Sequence, residues 1–369
     1  MQYILSKGRR LVYPLGGSYA PECPLPERAD PRDPEHMARL AAYQCNCLGY
    51  DFNCFTISFV DTFHAFGMKT FSLDGVSGEY VCPGQCETEE DIERLYLNSQ
   101  KNEHVLQRYL EAMCLTSAST ENPISVGTFG PFTLAGHFMG IENFLISLID
   151  KPEFAHKLVA MISSVLRKWH KDIELAGGQF VWVAEPLPVI VSEKHFECFA
   201  LPELRQIFST CSQAGFLHIP GKSAHLLHGM CNSGAQCLSL DYYVGIEYAL
   251  ENIPDEMVIL GDIDSKAILD SDSNTVSEMV STLNYKVRNY PNVIISSGGG
   301  IIAGSPYENI MPIISATKAH PTWSSEEFVQ LMSLRKLFRT TVQEEDLKVF
   351  CDESGISPQV LEEAKKQWL

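Results

Sequence analysis

Short runs of β-branched and aromatic residues recur along the chain, and each run stops at a polar residue or a glycine. The eight runs are RLVYPLGG, FTISFVD, ISVGTFG, FVWVAEP, GFLHIPG, CLSLD, MVILGDID and VIISSGGG. Runs of this length and composition predict buried strands. Helix-like stretches separate most of them, and this alternation favours a (β/α)8 TIM barrel over an open doubly wound sheet.

Two of the stretches between the runs carry clear helix signals. In the segment that starts GIENFLISLIDKPEF, Pro152 separates two predicted helices, and the second ends at Gly177 and Gly178. Glycine commonly ends helices in this way. A later helix is predicted to begin after Ser192 as its N-cap, with Glu193 in the first turn.

Length and composition predict a single domain. The chain has 369 residues, of which 45% are hydrophobic and 20% charged, and this supplies a large core. No Pro/Ser/Gly-rich linker divides it, so residues 1–369 are predicted to form one barrel domain. A formal net charge of −18 argues against nucleic acid or anionic lipid as a partner.

The apolar runs and the cysteines predict the cellular compartment of the protein. The longest apolar runs are shorter than a membrane span, and the start MQYILSKGRRLVY lacks the apolar centre of a signal peptide. We therefore predict a cytoplasmic protein without a membrane partner. The 12 cysteines are predicted to be free thiols, not a disulfide framework.

Polar residues at the carboxyl ends of the predicted strands are the first candidates for chemistry, because active sites of such barrels lie at that end. Asp and Ser also begin helices, so about half of these residues are expected to be helix caps. The strand-end residues are Asp61, Thr128, Glu185, His218, Asp241, Asp262, Asp264 and Ser297.

Ordered segments of the chain resemble the uroporphyrinogen decarboxylase superfamily, which also contains zinc- and corrinoid-dependent methyltransferases. GPFTLAGHFMGIENFLISLIDKPEF is similar to the family's segment after the third strand. ALPELRQIF resembles its fourth helix, and IISSGGGIIAGSPYENI its last strand and following loop. AFGMK, LHIPG, CLSLD and MVILGDID follow in the expected order. The resemblance covers nearly the whole chain and implies the barrel fold, but not which of the family's reactions occurs.

The resemblance gives limited support to porphyrinogen decarboxylation. PLGGSYAPE is similar to the decarboxylase motif QAGRYLPE, but Ser18 stands where the motif has its arginine, and the adjacent Tyr19 is predicted to bind substrate. Asp61 matches the family's strand-end aspartate. His137 replaces the expected tyrosine, and Gly299 replaces the late histidine. A substrate rich in carboxylates would lose a bidentate partner and meet like charge.

The methyltransferases of the family hold zinc with a His-x-Cys pair and a late cysteine. Here the pair becomes His218, Ile219 and Pro220, and the late cysteine becomes Gly299. Either His218 and Glu185 hold zinc through nitrogen and oxygen, or the site is metal-free.

Each alternative assigns roles to the remaining candidates. In a zinc site, His137, Asp61 or Asp241 would be the further ligands. In a metal-free site, Asp61, His137 and His218 would act as acid or base, or would bind ligand. A third alternative makes His218 a hydrogen-bonded core residue.

The hypothesis from the sequence is a methyltransferase that moves a methyl group between a small methylated or methoxylated molecule and a corrinoid protein. The alternatives are a decarboxylase and a non-catalytic barrel that binds a ligand or a corrinoid. Tyr242 and Tyr243 are predicted to line the mouth of the site. The resemblance also implies a homodimer.

Three further histidines are not predicted to be catalytic. His64 follows Asp61 by three residues on a predicted helix but is expected to be a surface residue. His225 and His228 share a helical face in AHLLHGM. No carboxylate lies near them in the sequence, so surface or packing roles are expected.

Overall fold

The chain folds as alternating strands and helices, which confirms the α/β class. The computed structural model describes residues 7, 9–15, 32–73, 79–210, 212–320, 323–338 and 344–368. The strands are β1 (Asn53–Thr56), β2 (Thr70–Phe71), β3 (Tyr80–Val81), β4 (Ile124–Phe129), β5 (Gly178–Ala184), β6 (Ala214–Ile219), β7 (Cys237–Leu240), β8 (Val258–Ile263) and β9 (Val293–Ser297).

Helices follow most of the strands. They are α1 (Pro34–Tyr43), α2 (Phe59–Ala65), α3 (Glu89–Lys101), α4 (His104–Ser117), α5 (Pro131–Met139), α6 (Ile141–Asp150), α7 (Pro152–Leu175), α8 (Glu193–His195), α9 (Leu201–Thr210), α10 (Leu227–Cys231), α11 (Ile246–Asn252), α12 (Ser265–Asp270), α13 (Ser273–Lys286), α14 (Tyr307–Ala319), α15 (Ser325–Phe338), α16 (Glu344–Ser354) and α17 (Pro358–Trp368). A π-helical turn, Phe196–Ala200, joins α8 to α9.

The contacts divide the chain into two compact units. The larger unit is Gly16–Ser239, and the terminal unit combines Met1–Leu15 with Leu240–Leu369. In the larger unit, β1, β4, β5 and β6 pair in parallel in that order. The long apolar face of α7, with Leu158, Ile162 and Trp169 buried, lies in the core of this unit.

Parallel pairing also organises the terminal unit. Strand β8 pairs with β9, with Gly261 opposite Ile295. On the other side of Ile295, Val12 forms a parallel bridge, and the N–H of Tyr13 donates to the carbonyl of Ile295 at 2.8 Å. Seven of the eight runs predicted as strands therefore overlap a strand, and the first run, RLVYPLGG, contains a parallel β bridge at Val12. A closed barrel of eight strands stays a prediction.

The predicted helix boundaries agree with the structure at several points. Helix α7 begins at Pro152 and ends before Gly177, as expected from the sequence. Ser192 caps α8 by accepting from the N–H of His195. One boundary differs: FTISFVD was predicted to be a strand through Asp61, but β1 ends at Thr56 and α2 begins at Phe59.

The last three helices build a small core of their own. Its buried members include Phe328, Leu331 and Leu334 from α15 and Val360 from α17. Polar contacts attach these helices to the rest of the terminal unit. The Arg335 guanidinium forms an ion pair with Asp255 (Nε to Oδ1, 3.0 Å).

Within the described residues, no single helix is long and apolar enough to cross a bilayer. The consecutive helices α5 and α6 together reach that length and composition, but a bend of 105° separates them. Helix α5 is almost entirely buried within the larger unit.

Candidate functional site

The carboxyl ends of β4, β5 and β6 bring the predicted strand-end residues together. Ala184 of β5 lies opposite His218 of β6, so the next residue, Glu185, is a direct neighbour of His218. The N–H of Glu185 donates to the carbonyl of His218 at 2.8 Å. On the other side, the N–H of Gly130 donates to the carbonyl of Ala184 at 2.7 Å. Parallel pairing thus places residues 130, 185 and 218 along one edge, where barrel active sites lie.

Glu185 is fully buried, and its carboxylate caps the start of α5. Oε1 accepts from the N–H of Phe132 at 3.0 Å. Oε2 accepts from the N–H of Thr133 at 2.8 Å and from its hydroxyl at 2.6 Å. The first N–H groups of a helix have no partner within it, and its dipole favours a negative charge there. Gly130 makes room for the carboxylate, because a Cβ at that position would lie 2.2 Å from the Glu185 Cδ.

The Glu185 carboxyl titrates near neutral pH. Burial raises its pKa from 4.5 to about 7, although the hydrogen bonds from Thr133 and Phe132 act in the opposite direction. Desolvation disfavours the charged form, while donors directed at the carboxylate favour it. The carboxyl is therefore a group that can hold or release a proton under physiological conditions.

His218 is buried beside Glu185 and has a defined tautomer. Its Nδ1 lies 3.2 Å from the carbonyl oxygen of Ser239 in β7. A carbonyl only accepts, so this contact assigns the proton of the neutral ring to Nδ1 and the lone pair to Nε2. The Trp182 ring lies edge-on at 6.4 Å between centroids.

Asp61 lies in the first turn of α2, where it is buried among polar partners. Arg108 Nη2 donates to its Oδ1, and the hydroxyl of Tyr109 donates to Oδ2 at 2.5 Å. The Nε of Arg32 lies 4.0 Å from Oδ1. Burial, followed by the charge of Asp61, raises the pKa of Tyr109 well above its usual range, so the phenol remains a donor. Asp61 is thus a hydrogen-bonded anion held by a cation and a phenol.

The network around Asp61 extends to a second carboxylate. Arg32 also donates to Glu79 at 3.1 Å, and His64 Nε2 lies 2.8 Å from that carboxylate. Glu79 also accepts from the hydroxyl of Thr70, and this bond is the largest cause of the low Glu79 pKa of about 2. His64, expected at the surface, is partly exposed and belongs to this network.

His137 lies in the last turn of α5 against aromatic rings. Its ring packs edge-on against Phe59 with 4.6 Å between centroids, and Phe59 packs at 4.6 Å against Phe129. Burial lowers the pKa of His137, which keeps the ring neutral at pH 7. All three rings are partly exposed. They offer an apolar surface with one polar ring, which suits a small organic substrate.

Other predicted residues lie in the terminal unit. Tyr242 and Tyr243 are exposed, with ring centroids 5.0 Å apart. Tyr242 and Asp262 line a cleft of about 500 Å³ within this unit. Burial raises the pKa of Asp262 to about 6. Ser18 and Tyr19 lie outside the described residues.

The predicted zinc ligands do not gather three donors in the part of the chain that the structure describes. Among the described residues, neither His218 nor Glu185 is part of a group of three His, Cys, Asp or Glu side chains whose ligand atoms are close enough to bind one ion. Both Glu185 oxygens accept from α5, on the β4 side, whereas His218 Nδ1 faces β7. The cysteines that the structure describes are free thiols, as predicted.

Sequence reasoning missed several polar partners of the candidate residues. Arg108 and Tyr109 contact Asp61 from α4, Thr133 contacts Glu185 from α5, and Ser239 contacts His218 through its backbone. Arg108 and Tyr109 lie in a stretch with an ordinary amphipathic helix pattern. No local sequence signal distinguishes them.

The fold and the strand-end edge define a class: an α/β protein of parallel strands with buried polar side chains at their carboxyl ends. The chain belongs to the uroporphyrinogen decarboxylase (URO-D) family, whose model matches residues 30–320.

Three relatives illustrate the range of the family. The chain is 29% identical to the Methylated-thiol--coenzyme M methyltransferase of Methanosarcina mazei over 52% of each chain. It is 26% identical to the methylcobamide:CoM methyltransferase MtbA of Methanosarcina acetivorans, over 82% of this chain and 87% of the relative. It is 28% identical to the uroporphyrinogen decarboxylase of Prochlorococcus marinus (strain MIT 9312), over 48% of this chain and 54% of the relative. The matches with the first and third thus span about half of those relatives' length. All three relatives are enzymes by name.

Solved structures support the fold. A methyltransferase from Methanosarcina mazei superposes with a TM-score of 0.70 at 18% identity, over 84% of this chain and 93% of that chain. A B12-independent methionine synthase from Shewanella sp. W3-18-1 superposes with a TM-score of 0.52 at 13% identity, over 84% and 95%. At these identities the likeness concerns the fold alone.

The buried ion pair of Asp61 gives a first prediction. Asp61→Asn and Arg108→Met are each expected to destabilise the protein by about 2 kcal/mol, because each leaves a largely buried partner without its counter-charge. The free energy of unfolding of the double variant should fall by less than the sum of the two single decreases, because the interaction between the two residues is removed only once. Urea unfolding of the four proteins measures this.

A matched control is the exposed ion pair between Lys157 and Glu89. Lys157→Met should leave the free energy of unfolding nearly unchanged, because exposed pairs contribute little. If the decreases in the free energy of unfolding of the Asp61 and Arg108 variants were strictly additive, the two side chains would not be energetically coupled.

The raised pKa of Glu185 gives a second prediction, for the dependence of stability on pH. The folded protein binds this proton more tightly than the unfolded chain, so the stabilisation is complete below pH 4.5 and is lost as the pH rises through about 7. A rise of the pKa from 4.5 to about 7 corresponds to about 3 kcal/mol. This decline should be absent in Glu185→Gln.

Urea unfolding of wild type and Glu185→Gln between pH 4.5 and pH 8 tests this. Glu142→Gln, at an exposed glutamate of α6, serves as the control and should follow the wild-type profile. Parallel pH profiles for wild type and Glu185→Gln would show that the carboxyl has no raised pKa.

Proposed function

We propose that the protein is a methyltransferase that moves a methyl group between a small methylated or methoxylated molecule and a corrinoid carried by a partner protein. The observation that carries the proposal is the arrangement of His218. Its Nδ1 proton is engaged by the Ser239 carbonyl, so Nε2 is the basic nitrogen of a buried ring at the strand-end edge. Such a ring suits proton transfer to or from a reacting heteroatom.

The relatives support the choice of methyl transfer. One that matches over most of its length is named a methylcobamide:CoM methyltransferase, and another a methylated-thiol methyltransferase. A methylcobamide is a methylated corrinoid, so the first name describes methyl exchange between a corrinoid and a thiol. We extend that class of reaction, but not the particular thiol, to this chain.

The proposed chemistry needs one proton for each methyl group transferred. In demethylation the bond between the methyl carbon and the substrate's oxygen, nitrogen or sulfur breaks, and the heteroatom keeps the bonding pair. His218 as the imidazolium gives its Nε2 proton to that heteroatom. In the opposite direction neutral Nε2 removes the proton of an acceptor thiol or hydroxyl. The corrinoid, when bound, supplies the centre that exchanges the methyl group.

The other candidate residues position the substrate in this proposal. His137 and the Phe59 ring form a partly exposed surface for an apolar methylated molecule. Asp61 is held by Arg108 and Tyr109, so its carboxylate has a fixed position in the site. Tyr19 and Tyr242 remain predicted substrate contacts. The homodimer also remains a prediction. The cytoplasmic location and the closed barrel are likewise part of the proposal.

The residues at the strand-end edge do not fit a zinc ion, so the proposed reaction has no zinc-dependent step. His218 and Glu185 offer one imidazole and one carboxylate at the strand-end edge, and that carboxylate already accepts three hydrogen bonds from α5. Pro220 and Gly299 supply no donor where the resemblance places cysteines. Zinc usually has three or four protein ligands, so this donor set does not fit it. One His218-dependent zinc per chain after purification without chelator would contradict this conclusion.

Decarboxylation of a porphyrinogen is the second candidate, because the matching family model is named for uroporphyrinogen decarboxylase and Asp61 is kept. The bonds of Asp61 to Arg108 and Tyr109 count against it, because a carboxylate engaged in this way is not presented to pyrrole nitrogens. Loss of carbon dioxide from uroporphyrinogen, measured by mass, would establish it. Tight ligand binding without turnover would favour the non-catalytic alternative.

Methyl transfer itself gives a third prediction. Wild-type protein should demethylate at least one methoxylated, methylamine or methylated-thiol substrate with reduced cobalamin, or methylate a thiol with methylcobalamin. His218→Ala should lower the rate by about 10²–10⁴-fold, the usual contribution of a general acid or base. The change should fall on kcat more than on KM, since the proton transfer belongs to the chemical step.

His104→Ala provides the matched control, because His104 is an exposed histidine at the start of α4. It should keep the wild-type rate. The proposal fails if every substrate class stays untouched in both directions, or if His218→Ala retains full activity.

A further inference from the structure

Three side chains that can ligate a metal meet on the surface of the larger unit. They are Glu193 of α8, Glu197 of the following π-helical turn, and His228 of α10. One ligand atom from each lies within 4.8 Å of the other two. All three side chains are exposed, and none belongs to the proposed methyl-transfer site.

The local fold explains why the three meet. Glu193 and Glu197 are four residues apart in a helical stretch, so they share one side of it. His228 comes from the helix after β6, and its Nδ1 lies 4.0 Å from Oε1 of Glu193. The Asn232 amide lies 3.4 Å from the other ring nitrogen and donates to the His228 carbonyl at 2.9 Å. The Nδ1 edge of the ring faces the carboxylates. For Nδ1 to bind an ion, the ring proton must lie on Nε2, with the Asn232 side chain turned so that its amide oxygen accepts that proton.

We propose that Glu193, Glu197 and His228 bind a first-row divalent transition-metal ion. One imidazole nitrogen and two carboxylate oxygens form a mixed donor set suited to such ions, with water in the remaining positions. Ligand distances of about 2.0–2.2 Å require the three donors to close in by roughly 1 Å. Exposed side chains can make this movement by changing rotamer. A bound cation would also relieve the repulsion between the two carboxylates.

The ion would join two connections that follow neighbouring strands. Glu193 and Glu197 follow β5, the strand that leads to Glu185, and His228 follows β6, the strand that contains His218. An ion that binds only the folded state stabilises it according to its concentration and affinity. The site therefore acts as a surface cross-link between the segments beside the strand-end edge. It does not depend on methyl transfer.

Equilibrium dialysis of chelator-treated protein against Co²⁺, with an absorption spectrum and a thermal melt, tests the proposal. Wild type should bind one Co²⁺ more than His228→Ala. Co²⁺ should raise the Tm of wild type but not that of His228→Ala. Glu193→Gln should weaken binding by about tenfold or more, as loss of even an outer-shell partner commonly does.

Cysteine thiols are the main competing ligands, and the exposed Cys198 lies next to Glu197. Its Sγ is 3.8 Å from Nε2 of His156. Thiolate ligation produces a sulfur-to-cobalt charge-transfer band, which the site of one nitrogen and two oxygens lacks. A charge-transfer band that accompanies the His228-dependent ion would overturn the proposed donor set.

Two control variants separate this site from others. His104→Ala and His218→Ala should both keep the His228-dependent Co²⁺ and the rise in Tm. Equal Co²⁺ binding by wild type and His228→Ala would refute the proposal and leave a His228–Glu193 ion pair. Loss of the ion in His218→Ala but not in His228→Ala would also refute it. Neither result would affect the test of methyl transfer.

Discussion

The Glu185 carboxylate at the start of α5 is the interaction on which the candidate site depends. It satisfies two N–H groups and one hydroxyl that the helix cannot satisfy itself. It thereby fixes where α5 starts relative to β5, and α5 carries His137 at its other end. The backbone N–H of Glu185 also holds the carbonyl of His218. One residue thus links the helix after β4 to the end of β6.

The same residue has conflicting requirements, which explains its raised pKa. Full burial disfavours the charge, while three donors and the positive end of a helix favour it. Asp61 resolves a similar conflict differently, by pairing with the cation Arg108 and the phenol of Tyr109. The larger unit therefore buries one carboxyl whose pKa is raised to about 7 and one that is paired with a cation.

Local sequence pattern was enough to predict β1 and β4 to β9, because each overlaps a short apolar run that ends at a polar residue or a glycine, but it missed the short antiparallel pair β2 and β3. It also placed Glu185 and His218 on one edge, since parallel strands end together. It placed Asp61 at a strand end, but Ser58 starts a helix there by capping the N–H of Asp61. Arg108 and Tyr109 lie 47 and 48 residues from Asp61. The carboxylates near His228 are likewise distant in sequence, so only the fold brings them together.

The residues at the strand-end edge favour proton transfer over soft-metal chemistry. A thiolate-rich zinc site activates a thiol by binding its sulfur, and it needs cysteines at positions where this chain has Pro220 and Gly299. Without them, the proposed reaction would rely on side chains to transfer the proton of the acceptor or leaving group. The Ser239 carbonyl orients the buried His218 ring through Nδ1, and a fixed ring orientation is what a general acid–base histidine requires. The proposed function therefore assigns the proton transfer to His218.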